Sequence, residues 1–327
     1  TPKVTVKAGT KTLTQNKDYL VKTDAVSVGD ATAEIVGIGL YEGAFTVPFK
    51  VTLSPVSSVS YSSTSNSISL SWKKVTGAAK YNVYMLQNGK YVLKQSDTGR
   101  SYKATSLKAA TAYSFKVVAV AENGVLSAEK LVSTKTAPAQ VNVKNIKASA
   151  TDTTVTLSWS AVSGATGYRI EYLKGKTWTK ISYTVKKLSP YTQYTFRVIS
   201  YVKDQNGTYV FGEPSGTKAV KTKVATVSGL KAGTTASTIT LSWKKASNVT
   251  GYQVQQYKSG KWQTVATIKK ASTVSYKLSK LKAGTNYRFR VRAYNGKSYG
   301  SWVEISAYTN LAKVKNLKLT KATTSAV

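Results

Sequence analysis

Leu281-Lys-Ala-Gly-Thr-Asn-Tyr287-Arg-Phe289-Arg-Val291-Arg292 places a Tyr six residues after a Leu, and that Tyr opens an alternating apolar run. The same order returns as Leu107, Tyr113, Phe115 and Val117, and again as Leu188, Tyr194, Phe196 and Val198. Residues two apart on a strand share a face, so the Tyr, Phe and Val of each run turn inward together. A second marker lies upstream of each: Ser69-Leu-Ser-Trp72, Thr156-Leu-Ser-Trp159 and Thr240-Leu-Ser-Trp243. A Tyr follows each Trp after nine residues, at Tyr81, Tyr168 and Tyr252, and the Trp recurs after 87 and then 84 residues. One β-sandwich has been copied head to tail.

Hairpin signals fall where strands must reverse, at Asn88-Gly89-Lys90, Lys174-Gly175-Lys176 and Ser259-Gly260-Lys261. No amphipathic helical pattern is present. Among 327 residues there is neither Cys nor His, so apolar burial alone must hold each copy. No apolar run reaches the roughly 20 residues that span a bilayer, and no signal peptide is visible.

In immunoglobulin-like sandwiches the Leu-to-Tyr run is a tyrosine corner, whose ring packs inward while its hydroxyl reaches back to upstream backbone. With the Trp and the Tyr nine residues on, all three copies resemble fibronectin type III domains. The missing Cys pair excludes the disulfide-linked immunoglobulin subclass. The resemblance implies an all-β chain of tandem immunoglobulin-like sandwiches at 54–137, 138–222 and 223–310. Linkers as short as Thr134–Pro138 and Lys221–Val224 favour a semi-rigid, elongated rod. Residues 1–53 differ in kind. Lys17-Asp-Tyr19 and the ending Ile35-Val-Gly-Ile-Gly-Leu-Tyr-Glu-Gly43 resemble the small YDG-type repeat modules of Gram-positive bacterial surface proteins. Strands are expected there at Gly9–Leu13, Tyr19–Val21, Ala31–Val36 and Phe45–Val51. Residues 313–327 resemble 141–155, so 311–327 reads as the start of a fourth repeat cut from a longer protein.

The search for catalysis is negative. Without His or Cys there is no Ser/His/Asp triad, thiol nucleophile, or imidazole or thiolate metal site. A paired-carboxylate mechanism needs two acids across a cleft, whereas the 13 acids are scattered and only Glu304 falls in the third copy. No phosphate-cradling Gly-rich loop exists. Asp18, Asp24 and Asp30 are evenly spaced, but apolar strand residues separate them and a Ca²⁺ site needs six to eight clustered oxygens. No catalytic residue, metal or cofactor is expected.

Charge is the remaining handle. Forty-eight Lys and Arg give a net +35, and the excess grows along the chain to fourteen cations against one carboxylate in residues 225–310. Alternation puts Arg288, Arg290 and Arg292 in a row on the outer face. The neighbouring strand would present Gln253, Gln255 and Tyr257, with Trp262 or Trp302 at the margin. Such a face suits an acidic glycan, teichoic acid or acidic host protein through Arg contacts. An exposed sheet face must also be polar in any case, and Lys keeps long arrays soluble and blunts edge pairing. Any polyanion would bind at low salt, yet no helix-turn-helix, zinc site or RNP-like aromatic pair supports specific nucleic-acid readout. Trp72, Trp159 and Trp243 read as core. Trp178 and Trp262, with Tyr91 in the first copy, follow the hairpin glycine and read as strand-packing residues or sugar-stacking platforms. Trp302 lacks a counterpart and is the first aromatic to test.

The expected role is a non-enzymatic spacer and adhesion stalk of a large extracellular bacterial protein, secreted or wall-attached. A module binding immunoglobulin or matrix protein is one alternative. A carbohydrate-binding accessory region of a polysaccharide-degrading enzyme is another. The fragment is expected to be monomeric, with no membrane span.

Overall fold

The computed structural model describes residues 3–24, 27–314 and Lys318. The strands pair antiparallel in the sheets of the first and third sandwiches and of the N-terminal segment, and no α-helix occurs among the described residues. The chain forms two compact units. One comprises residues up to Val141 with Ala161–Tyr168 and Ile199–Pro214; the other comprises Asn142–Ser160, Arg169–Val198 and residues from Ser215 onward.

The first unit opens with the hairpin Lys7–Ala8 and Lys11–Thr12 and a sheet of Tyr19–Thr23, Gly29–Gly37 and Ala44–Val51. Leu13, Tyr19, Ala33 and Ile35 are buried beneath it. The acids there serve turns and surface pairs. Asp18 accepts the Thr14 N–H at 2.8 Å, Thr32 donates to Asp24, and Asp30 pairs with Lys50. The first sandwich follows. One sheet orders Val59–Ser63, Ile68–Trp72 and Ser101–Ala104; the other runs Lys130–Lys135, Ala112–Val120, Lys80–Gln87, Lys90–Asp97. Alternation drives it: Ile68, Leu70, Trp72, Val83, Phe115 and Val117 all turn inward and are buried. Each such side chain contributes about 1.5–3 kcal/mol by leaving water.

The third sandwich, wholly in the second unit, repeats this plan. Ser228–Thr234, Ile239–Lys244 and Ser275–Leu278 form one sheet. Lys261–Ile268, Gly251–Lys258 and Asn286–Asn295 form the other, with Ser298–Tyr299 and Val303–Tyr308 both paired to Asn286–Asn295. Its buried Ile239, Leu241, Trp243, Val254, Phe289 and Val291 match the first core position for position. At the tips, Asn88-Gly89 and Ser259-Gly260 all take positive φ, the conformation a two-residue hairpin turn requires.

All three corners are present. The hydroxyls of Tyr113, Tyr194 and Tyr287 accept the backbone N–H five residues upstream, from Lys108, Ser189 and Lys282, each at 2.9 Å. The Tyr nine residues after each Trp works alike: Tyr81, Tyr168 and Tyr252 accept from Val75, Val162 and Ala246.

One expectation fails. Trp72 and Trp243 are buried, 6% and 5% exposed, but Trp159 is only half-buried. Its strand, Val155–Ser158, ends one residue short of it. The neighbouring strand is cut to Thr184–Val185, where the other copies have four residues. Tyr183, five residues before its corner Leu like Tyr102 and Tyr276, is therefore 55% exposed, and Trp159 stacks on it at 5.4 Å.

The linkers are received by glycines. A Cβ on Gly212 would stand 2.8 Å from the Pro138 carbonyl oxygen, and one on Gly300 would stand 2.6 Å from that of Ala225. The expected fourth repeat at 311–327 lies outside the described residues, apart from 311–314 and Lys318.

Candidate functional site: a guanidinium–aromatic ladder

Arg288, Arg290 and Arg292 lie on the outward positions of Asn286–Asn295, since Phe289, Val291 and Ala293 between and beyond them are fully buried. Strand register then brings the partners. Gln253 stands opposite Arg292 and Gln255 opposite Arg290, while Glu304 stands opposite Arg290 on the other side. Gln253 Oε1 accepts from Arg292 Nε at 2.9 Å and Nη2 at 2.7 Å; Gln255 Oε1 accepts from Arg290 Nε at 2.8 Å. Arg288 Nη2 reaches Glu304 at 3.3 Å.

Four aromatic rings interleave with the three guanidinium groups. Arg288 lies over Tyr257 at 4.9 Å and Trp262 at 5.5 Å. Arg290 lies 4.4 Å from both Trp262 and Trp302. Arg292 lies 4.3 Å from Trp302 and 3.8 Å from Tyr299. Outward residues on one strand are about 6.8 Å apart, so each Trp must sit between two cations. The order is Tyr257, Arg288, Trp262, Arg290, Trp302, Arg292, Tyr299. Each rung contributes about 0.5–1 kcal/mol where exposed and more where water is excluded.

Every residue singled out in the sequence for this face, Arg288, Arg290, Arg292, Gln253, Gln255, Tyr257 and Trp302, is brought together here. Sequence reasoning left out Tyr299 and Glu304. Both come from strands whose register only the folded sheet sets. Burial holds the Arg292 guanidinium below its ordinary value; Tyr299 opposes this and the like charge of Arg290 adds to it.

The middle rung recurs in each copy. Lys116 lies 5.2 Å over Tyr91, and Arg197 lies 4.2 Å over Trp178. Trp178, Trp262 and Tyr91 each pack against a strand cation. The copies differ in charge compensation. Lys116 pairs with Glu129 at 2.7 Å. Arg169 and Arg197 both converge on Glu171, a buried carboxylate three residues after Tyr168. Gln255, three residues after Tyr252, holds the corresponding place in the third copy and brings no charge. Among the described residues Arg290 and Arg292 make no ion pair.

Elsewhere, among the described residues, no three His, Cys, Asp or Glu side chains gather as a metal site would need. No helix among the described residues is long and apolar enough to cross a membrane.

A family model described as fibronectin type III domain matches residues 54–135, 137–218 and 220–308. Fibronectin type III domain-containing protein 7 of Mus musculus is 26% identical over 251 residues, covering 74% of this chain and 32% of its own length. Exoglucanase B of Cellulomonas fimi is 27% identical over 297 residues, or 83% of this chain and 25% of its own. Chitinase A1 of Niallia circulans is 31% identical over 226 residues, or 56% of this chain and 32% of its own. The chain spans about a quarter to a third of the length of these curated relatives. Residues 1–53 lie outside the matched ranges.

Proposed function

This chain belongs to the fibronectin type III family, and from that premise we propose that it is a non-catalytic spacer of a larger extracellular protein, holding neighbouring parts at set positions. Latching at the joints between sandwiches carries the reading. At the first joint the Tyr61 hydroxyl donates to Asp204 at 3.0 Å, while Asp204 also accepts the Asn206 and Thr208 N–H groups. At the second, Asp152 accepts the Thr226 N–H at 2.8 Å, Tyr191 meets Ser298 at 3.3 Å, and Asn248 donates to the Pro190 carbonyl at 2.8 Å. Side-chain bonds across a linker cost entropy that a flexible tether would keep, so they suit a part whose task is geometric. A bacterial surface setting, with residues 1–53 as a YDG-type module, belongs to the same proposal.

Backbone ¹⁵N relaxation on the full chain tests this. The two sandwiches latched at a joint share one rotational correlation time, and Asp204→Ala lets the first sandwich reorient faster than the part of the second it was bonded to. Separate short correlation times in the unaltered chain would sink the reading.

A second reading is favoured by the relatives' names: an accessory region of a polysaccharide-degrading enzyme, as an exoglucanase and a chitinase carry related sequence. Retention of the full chain on cellulose or chitin at physiological salt would favour it over the spacer. Capture of immunoglobulin or matrix protein from serum would favour host binding instead.

A further inference from the structure

We propose that the ladder face of the third sandwich binds a linear phosphodiester polymer of small polyols, a poly(glycerol phosphate) chain laid along Asn286–Asn295. The inference goes beyond the spacer reading and stands whether or not the joints are latched.

Three observations carry it. The first is uncompensated charge. The equivalent cations of the first and second copies each have a carboxylate, Glu129 or Glu171, whereas Arg290 and Arg292 have only the neutral oxygens of Gln255 and Gln253. Arg290 keeps both terminal nitrogens, and Arg292 keeps Nη1, outside any hydrogen bond among the described residues. Those are the donors that grip phosphate oxygens.

The second is spacing. Guanidinium groups repeat every two residues, which is six backbone bonds or about 7 Å of extended chain. Glycerol phosphate also places one anion every six backbone bonds, through P–O, O–C, C–C, C–C, C–O and O–P. An extended polymer therefore meets successive arginines in step.

The third separates this ligand from nucleic acid, whose backbone has the same six-bond repeat. Single-stranded nucleic acid is held by bases stacking on open aromatic faces. Trp262 and Trp302 each have two guanidinium groups close to the ring, at 5.5 and 4.4 Å and at 4.4 and 4.3 Å from the centroid. The ladder offers N–H edges and crowds each inner indole with two cations, which suits a chain with anions and no bases. The same crowding removes Trp302 as an open platform for a sugar ring.

The experiment titrates end-labelled poly(glycerol phosphate) with the full chain and follows anisotropy across salt. The two uncompensated contacts, Arg290 and Arg292, at about −0.7 each give a log–log slope near −1.4, roughly a sevenfold loss between about 50 and 200 mM salt. Replacing all three arginines with Gln should remove that slope contribution and at least tenfold of affinity. Gln255→Glu, which supplies the carboxylate that the second copy has, should weaken binding about five- to tenfold with the stack intact. It therefore serves even if the triple variant melts. Lys90→Gln, Lys94→Gln and Lys130→Gln together, on the first sandwich, should change nothing. The proposal is overturned if Gln255→Glu binds like the unaltered chain, if the lysine variant loses as much as the arginine variant, or if oligothymidylate of equal charge binds as tightly as the polyol polymer.

Discussion

The Tyr194 hydroxyl accepts the Ser189 backbone N–H at 2.9 Å, closing the loop that carries the chain from one sheet of the second sandwich to the other. Without that oxygen the amide loses its partner while the ring still fills its place. Tyr194→Phe should cost about 1 kcal/mol, read as roughly fivefold faster hydrogen exchange over Leu188–Val198. Unchanged exchange there would show that the corner bond adds nothing. The same change at Tyr113 or Tyr287 should act alike in its own sandwich.

Arg290 touches two indoles and a glutamine at once. Arg290→Met keeps the aliphatic stem but loses both cation–π contacts, at about 1–2 kcal/mol. Arg290→Lys should lose less, because a point charge still sits near the rings. Hydrogen exchange of Asn286–Asn295 amides measures both. Equal loss in the two variants would mean that packing, not charge, holds the rung.

The two joint tyrosines should titrate on opposite sides of the ordinary value of 10.0. Burial raises Tyr61, with its hydrogen bond to Asp204 adding to the rise. Hydrogen bonds with Ser298 and then Lys221 lower Tyr191. A raised phenol stabilises the fold fully below pH 10 and loses that contribution as pH climbs through its folded value. A lowered phenol does the reverse: its contribution is present above pH 10 and disappears as pH falls through its own folded value. Tyrosine Cζ resonances read both directly. Tyr61→Phe should abolish the alkaline loosening of the first joint, and a Tyr61 midpoint at or below 10 would refute the assignment.

Gly212 faces the Pro138 carbonyl oxygen across a gap too small for a methyl group. Gly212→Ala must displace backbone on one side and should cost about 1–3 kcal/mol by strain, read as a lowered melting temperature. Gly89→Ala, at a turn open to solvent, should show only the smaller cost of its positive φ. Equal losses at both sites would mean the linker yields freely.

Much of this was legible in the chain because the fold writes its core in fixed intervals. Tyr194 and Phe196 sit two apart, Tyr252 sits nine after Trp243, and such spacing survives whatever the loops do. Arg288, Arg290 and Arg292 were placed by the same alternation. Trp302 and Tyr299 were not placed as rungs, because nothing local says that a residue ten positions on will fold back between two arginines; that depends on how Val303–Tyr308 pairs with Asn286–Asn295. Trp159 misleads for the opposite reason. Its motif is intact, but a shortened neighbouring strand at Thr184–Val185 removes the wall it would have packed against.

The slot that admits each incoming linker belongs to the sandwich that receives it, through Gly212 in one case and Gly300 in the other. The donor side ends alike too: Thr136 and Thr222 both fasten the departing chain, accepting from the amides of Thr111 and Thr192. The threonine clasp and the glycine slot thus repeat from joint to joint, while the side-chain latches beside them differ. Splicing the chain directly from Thr136 to Lys223 would keep the threonine clasp and the glycine slot but remove Asp204, Asp152 and Tyr191, so a shortened array would hold its linker while losing the side-chain latches of both joints.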